Sequence, residues 1–159
     1  MDSSTLYFAC DAMLGGVARW LRLFGYESFW EYGIEDSRLI EISLENDWIL
    51  LTSDSGIMKR RIIRDGKIRS LYIPHSLSRD EQLKTIVDSF RLTRQEPRCM
   101  KCSGFLRLIS KENAHERIPP KTYAWLDEFM ECSKCSQLFW KGTHWRQINR
   151  SLERIQPPI

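Results

Sequence analysis

Residues 48–54 read WILLTSD and residues 6–11 read LYFACD. Each is an apolar run of strand length that ends in a carboxylate, Asp54 in the first and Asp11 in the second. Apolar runs without polar alternation belong to strands covered on both faces, as in parallel sheets. A charged group is costly to bury there, so each Asp marks the point where its strand emerges at a sheet edge. In open parallel sheets, ligands bind beyond the carboxyl ends of the strands. The same pattern at two such ends points to a site.

The segments around these runs alternate. Residues 13–24 carry Leu14, Val17, Leu21 and Phe24 at helical spacing, with Arg19 and Arg22 on the opposite side, and Gly25 stands where a helix ends. SFWEY (28–32) is a candidate second strand, followed by a helix over about 37–46. WILLT is the next strand and a short helix spans about 55–64. The turn DGK (65–67) then leads into the strand IRSLYI (68–73). SRDEQLKTIVDSF (78–90) opens with capping residues and places Leu83, Ile86, Val87 and Phe90 on one face. Alternating strands and helices predict an α/β domain over residues 1–95, with a mostly parallel sheet between helical layers.

The pattern changes near Pro97. CMKC (Cys99, Cys102) and CSKC (Cys132, Cys135) form two C-x2-C pairs. Zinc takes four tetrahedral ligands and thiolates suit it, so the pairs predict one structural zinc site in a module over residues 96–146. Their separation exceeds that of the commonest pattern, which places an inserted loop around ENAHERIPP (112–120). A module of this size has little core, and metal binding supplies much of its folding free energy. His144 is not needed as a ligand once four sulfurs bind. Cys10 stands apart and reads as a buried core residue. The end, 147–159, reads as a loose tail.

Composition bounds the function. Of the 159 residues, 42% are apolar and 28% charged, typical of a folded water-soluble chain. No run of 18 apolar residues indicates a membrane span, and the N-terminus lacks the pattern of a signal peptide. An intracellular, cytoplasmic, reducing setting is therefore expected, which favours metal-bound thiols over disulfides. The net charge of +3 divides unevenly: residues 1–96 carry −2 and residues 97–159 carry +5. Trp125, Phe139, Trp140, His144, Trp145 and Arg146 cluster in the basic part. Such residues stack bases and meet phosphates, or pack a small core.

Asp36, beside Glu35, opens the helix after the second strand. Asp11, Asp36 and Asp54 then form a candidate trio at three strand–helix junctions. Clustered carboxylates repel one another unless a cation is present, and hard oxygen ligands suit Mg²⁺ or Mn²⁺. The same residues can instead cap the helices that follow them. Lys59, Arg60, Arg61, Arg64, Arg19 and Arg22 lie near this rim. Cations around an acidic metal site are what a phosphodiester enzyme needs. Asp80 and Glu81 are candidates for a fourth acid or for capping the last helix.

DAMLGGVARWLRLFGY, EDSRL, ILLTSD and the paired RCMKC and ECSKCSQLFWKGTHW together resemble the Mut-seven C-terminal ribonuclease family, over residues 6–146. That family is a branch of the PIN-like nucleases with a C-terminal zinc ribbon. The resemblance implies a three-layer α/β/α PIN-like fold, metal-dependent cleavage of RNA, catalytic acids at Asp11, Asp36 and Asp54, and zinc at the four cysteines. Ser53 stands where the family pattern has Arg, which implies a lost phosphate contact. The expected protein is a ribonuclease using Mg²⁺ or Mn²⁺, with Arg19, Arg22, Lys59, Arg60 and Arg61 on the RNA. The alternative is a non-catalytic RNA-binding or RNA-processing assembly module.

Overall fold

The computed structural model describes residues 6–156. Its first part alternates as β1 (Phe8–Cys10), α1 (Gly15–Leu23), β2 (Ser28–Phe29), α2 (Asp36–Asn46), β3 (Ile49–Thr52), α3 (Ser55–Met58), α4 (Arg61–Arg64), β4 (Ser70–Tyr72) and α5 (Arg79–Phe90). The strands form one parallel sheet in the order β2-β1-β3-β4. The two runs that end in Asp are its central pair, with Cys10 opposite Leu51.

Successive side chains of a strand point to opposite faces, and here each face has its own core. Phe8, Cys10, Ile49 and Leu51 meet Val17 and Leu21 of α1 and Leu83, Ile86 and Val87 of α5. Ala9 and Leu50 meet Leu39, Ile40 and Ile42 of α2, with Ile57 and Ile63 beyond them. Every residue of β1 and β3 is buried, which is why their sequences show no polar alternation. Cys10 lies fully inside the first core, and burial pushes its thiol up to about 12.

Local chemistry sets the boundaries. α1 follows a 3-10 turn over Ala12–Leu14. It stops where Gly25 takes φ of 106°, and a Cβ there would lie 2.6 Å from the Gln95 side chain. Ser78 and Glu81 close a full capping box on α5. The second strand is shorter than SFWEY: beyond Phe29 the chain turns, and the Trp30 indole donates to the Ala12 carbonyl at 3.2 Å. The single helix expected over 55–64 is two, because Arg60 is extended at ψ 137°.

The second part forms an antiparallel sheet, β5 (Leu106–Ile109), β6 (Phe129–Cys132) and β7 (Leu138–Phe139). The stretch around ENAHERIPP is an ordered excursion from it, with α6 (Lys111–Ala114), a 3-10 turn over His115–Arg117 and α7 (Pro120–Trp125). Ala114, Ile118, Phe129 and Leu138 make a small core there, with Tyr123 and Trp140 against it.

The expected loose tail is wrong for residues 147–156. They lie in and just after α8 (Thr143–Ile155), whose Ile148, Leu152 and Ile155 complete the first core of the parallel sheet. Gln156 accepts the Arg94 amide at 2.6 Å and donates to the Leu92 carbonyl at 2.8 Å. Arg154 reaches Asp80 at 3.2 Å. The remaining tail residues, 157–159, are outside the described part. Among the described residues, no helix is long and apolar enough to cross a membrane.

Candidate active site and metal centre

Asp11 sits at the carboxyl end of β1, with 3% exposure. Its Oδ1 accepts the Met13 amide at 2.8 Å, and its Oδ2 accepts the Thr52 hydroxyl at 2.6 Å and the Ser53 amide at 2.7 Å. Thr52 ends the neighbouring strand, and its Oγ1 also accepts the Asp54 amide at 2.9 Å. One hydroxyl thus links the two junctions. Asp54 caps α3, with Oδ1 accepting the Gly56 amide at 2.7 Å. Its Oδ2 takes no hydrogen bond from a described residue, which leaves that oxygen for a ligand.

Asp36 is the first residue of α2, half-buried, and its carboxyl makes no capping bond. Its pKa is raised above the usual carboxylate value by burial first, then by the charge of Asp54. Asp11 and Glu35 add to the rise, and Arg60 opposes it. Asp36 therefore lies in the field of both other acids. The carboxylate oxygens are not drawn into one tight group, however. Among the described residues, the four thiols are the one set of three or more ligand groups gathered within 4.8 Å.

The donor set at this edge suits a hard divalent cation, being all oxygen and rich in negative charge. A second observation fits. Ser53 is buried beside Asp11, and its hydroxyl has no hydrogen-bond partner among the described residues. A buried orphan hydroxyl costs about 1–3 kcal/mol unless a ligand or water meets it. Ser53 thus adds an unsatisfied oxygen at this edge.

The basic residues divide. Arg60 acts on Asp36. Lys59 is exposed, and Arg61 is exposed and pairs with Asp65 at 3.4 Å. Arg19 lines a cavity against the cysteine module. Arg22 is not available to RNA, which corrects its expected role. It is 8% exposed, and its guanidinium donates to the carbonyls of Ser28, at 2.9 and 2.7 Å, and of Met100, at 2.6 Å. Arg22 is covered by the first cysteine turn while Arg19 beside it stays exposed, a tertiary contact that helical spacing cannot reveal. Asp80 and Glu81 are occupied at the start of α5, Asp80 by Arg79 and Arg154 and Glu81 by the Ser78 amide.

The four cysteines converge as their spacing predicts. Cys99 Sγ lies 3.6 Å from Cys135 Sγ, and Cys102 Sγ lies 3.4 Å from Cys132 Sγ. A zinc tetrahedron with Zn–S of about 2.3 Å has edges of about 3.8 Å, so the thiols fit a metal such as zinc. The two turns repeat each other bond for bond. The Cys99 amide donates to Gly104 and the Cys132 amide to Gln137, both at 2.9 Å. Ser103 returns to Cys99 at 2.8 Å and Ser136 to Cys132 at 3.0 Å, both serines at positive φ. A Cβ on Gly104 would lie 2.7 Å from Cys132 Sγ, so only glycine admits the cluster. Burial pushes the Cys99 thiol up to about 12; burial also raises Cys132, but the Cys135 and Lys134 amides donating to its sulfur, together with the Cys102 and Cys135 thiols, outweigh it and bring Cys132 to about 7.

The fold and sites define a mixed α/β protein with a parallel four-stranded sheet, acids at its carboxyl edge and a cluster of four thiols that could hold a metal. A family model described as the Mut7-C RNAse domain matches residues 6–152. The chain belongs to that family, whose name is that of a ribonuclease. No curated protein and no solved structure matches the chain.

Proposed function

We propose that the protein is a divalent-metal-dependent ribonuclease that hydrolyses RNA phosphodiester bonds, with a PIN-like three-layer nuclease domain over residues 1–95 and a zinc ribbon over 96–146. The observation that carries this reading is the Asp11–Thr52–Asp54 link, which fixes two acids side by side at the carboxyl edge of adjacent parallel strands. Family membership supports RNA as the substrate.

Asp11, Asp36 and Asp54 would hold Mg²⁺ or Mn²⁺. When bound, such an ion supplies Lewis acidity toward the phosphodiester and an activated water at neutral pH. The chain's own groups do the rest. The Thr52 hydroxyl and the Ser53 amide orient Asp11 by fixing Oδ2. The capping bond from Gly56 holds Asp54 through Oδ1 and leaves Oδ2 free of it. Arg60 offsets negative charge beside Asp36 and offers a contact for the RNA backbone. Exposed Tyr32 and Met13, near Asp36 and Asp11 in the chain, offer surfaces for unpaired bases. Zinc at Cys99, Cys102, Cys132 and Cys135 would hold the ribbon, whose basic excess extends the RNA surface.

The test is Asp54→Asn. Metal-dependent RNA cleavage is expected to disappear while the melting temperature stays within a few degrees. Full activity in that variant removes Asp54 from the mechanism. One observation favours the second reading, a non-catalytic RNA-binding module: the acids are not gathered as tightly as the thiols. Mn²⁺ titration separates the two, since a binding module shows neither cleavage nor Mn²⁺ affinity at the acidic edge.

A further inference from the structure

Between the parallel-sheet part and the cysteine module lies a cavity of about 490 Å³ that the carboxylates do not reach and that the thiol cluster borders only through Cys99. That volume falls within the range of about 300–1,000 Å³ typical of ligand pockets. Arg19 and Trp20 of α1, Arg79 of α5, Lys101 of the first cysteine turn, Phe139 of β7 and His144 of α8 contribute to its wall. The cavity thus exists only where α8 folds back and the two parts meet.

Its chemistry is two-sided. No carboxylate lines it, whereas three cations and one imidazole do. Arg19 and Lys101 make no ion pair among the described residues, and both are exposed. Arg79 differs. Its guanidinium donates to Asp80 at 2.8 Å, so its charge is partly balanced, and it lies 4.0 Å over the Trp20 ring. Arg79 and Trp20 thus present a guanidinium and an indole ring in contact. Guanidinium and aromatic planes are surfaces on which nucleobases stack. Phe139 is held edge-on by Trp145, with ring centroids 5.3 Å apart, and adds a second rigid aromatic.

We propose that this cavity binds one nucleoside monophosphate unit, with the base against Trp20–Arg79 and Phe139 and the phosphate at Arg19, Lys101 and His144. The unit is either the phosphorylated end of an RNA or a free nucleotide, and the recognition chemistry is the same for both. The site is separate from the acidic edge and does not depend on cleavage. The ribonuclease reading bears only on which of the two sources fills it.

The experiment is calorimetric titration of the zinc-loaded full chain carrying Asp54→Asn, without added Mg²⁺ or Mn²⁺. Under those conditions the acidic edge repels phosphate. The ligands are adenosine 5′-monophosphate, adenosine, and tetra-adenylate with and without a 5′-phosphate. The monophosphate is expected to bind at least tenfold more tightly than adenosine. Arg19→Glu is expected to weaken the monophosphate at least tenfold, with Arg19→Lys recovering most of the loss. Tighter binding of the phosphorylated tetramer than of the monophosphate assigns the site to a chain end, and equal binding assigns it to the free nucleotide. Equal affinity for monophosphate and adenosine, no binding of the monophosphate, or indifference to Arg19→Glu overturns the proposal. Each of those results leaves the cleavage test on Asp54 standing, so the two readings fail separately.

Discussion

The Thr52 hydroxyl donates to Asp11 Oδ2 at 2.6 Å and accepts the Asp54 amide at 2.9 Å. It is fully buried, between two neighbouring strand ends. Replacing it with Val keeps the shape and leaves both partners short of a bond. Thr52→Val is therefore expected to destabilise the protein by about 1–3 kcal/mol. It should also lower RNA cleavage at least tenfold by releasing Asp11. Thr52→Ser keeps the hydroxyl and should recover most of both effects. Cleavage that survives Thr52→Val unchanged would show that the orientation of Asp11 is irrelevant to turnover.

Asp36 is held at a raised pKa by burial, Asp54, Asp11 and Glu35. For an acid shifted upward, the folded state binds its proton more tightly than the unfolded chain. Ionisation therefore weakens folding as pH rises above the ordinary carboxylate value of 3.8, and the penalty persists at neutral pH. Asp36→Asn removes it and should raise the melting temperature at pH 7 in metal-free buffer, with the gain vanishing near pH 3. Mn²⁺ should raise the melting temperature of the parent protein and have a smaller effect on the variant. A variant that melts lower than the parent at pH 7 would mean that Asp36 does not feel its neighbours.

Arg22 joins the two parts of the molecule. Its guanidinium binds the Ser28 carbonyl on one side and the Met100 and Lys101 carbonyls of the first cysteine turn on the other. Burial lowers its pKa, and the nearby Cys10, Cys102 and Cys99 oppose that shift. Arg22→Met would orphan these carbonyls at a cost of about 3 kcal/mol. Zinc should then leave the clamp faster under competition from a chelator, because the Met100–Lys101 segment loses its anchor. Arg22→Lys should not rescue the effect, since an ammonium cannot fork between partners on two sides. Equal zinc release from parent and variant would separate the clamp from Arg22.

The sequence was most legible where a residue's environment is set by its own neighbours in the chain. WILLT and LYFAC are buried on both faces and their composition says so. The C-x2-C turns close through bonds within six residues, and their convergence followed from spacing. Arg22 was misread because the knuckle covering it lies far along the chain. α8 was missed although Trp145, Ile148, Leu152 and Ile155 recur at helical spacing. The intervening Arg, Gln, Asn and Glu, and the prolines beyond, obscured that signal. Thr52 stood inside the decisive stretch, yet its role depends on which strand lies beside β3, and parallel register is not written in either strand alone.

The docking of α8 has a titratable anchor. Burial alone would raise the Asp80 carboxyl, but hydrogen bonds from Arg79 and Arg154 outweigh it and hold the pKa below the usual value. A depressed carboxylate contributes stability that is present above its unfolded pKa of 3.8 and is lost as pH falls through the lower folded value. Asp80→Asn should therefore narrow the difference in melting temperature between pH 6 and pH 3. The apolar part of the contact does not titrate. Leu152 is fully buried against the sheet core, and Leu152→Ala should cost about 2–5 kcal/mol at every pH. Because α8 also carries His144 into the wall of the junction cavity, Leu152→Ala should weaken adenosine monophosphate there, measured by calorimetry below the variant's melting temperature. The pH profile of its stability should keep the parent's shape. A profile flattened by Leu152→Ala would mean that Asp80 and Arg154 meet only when the helix is packed.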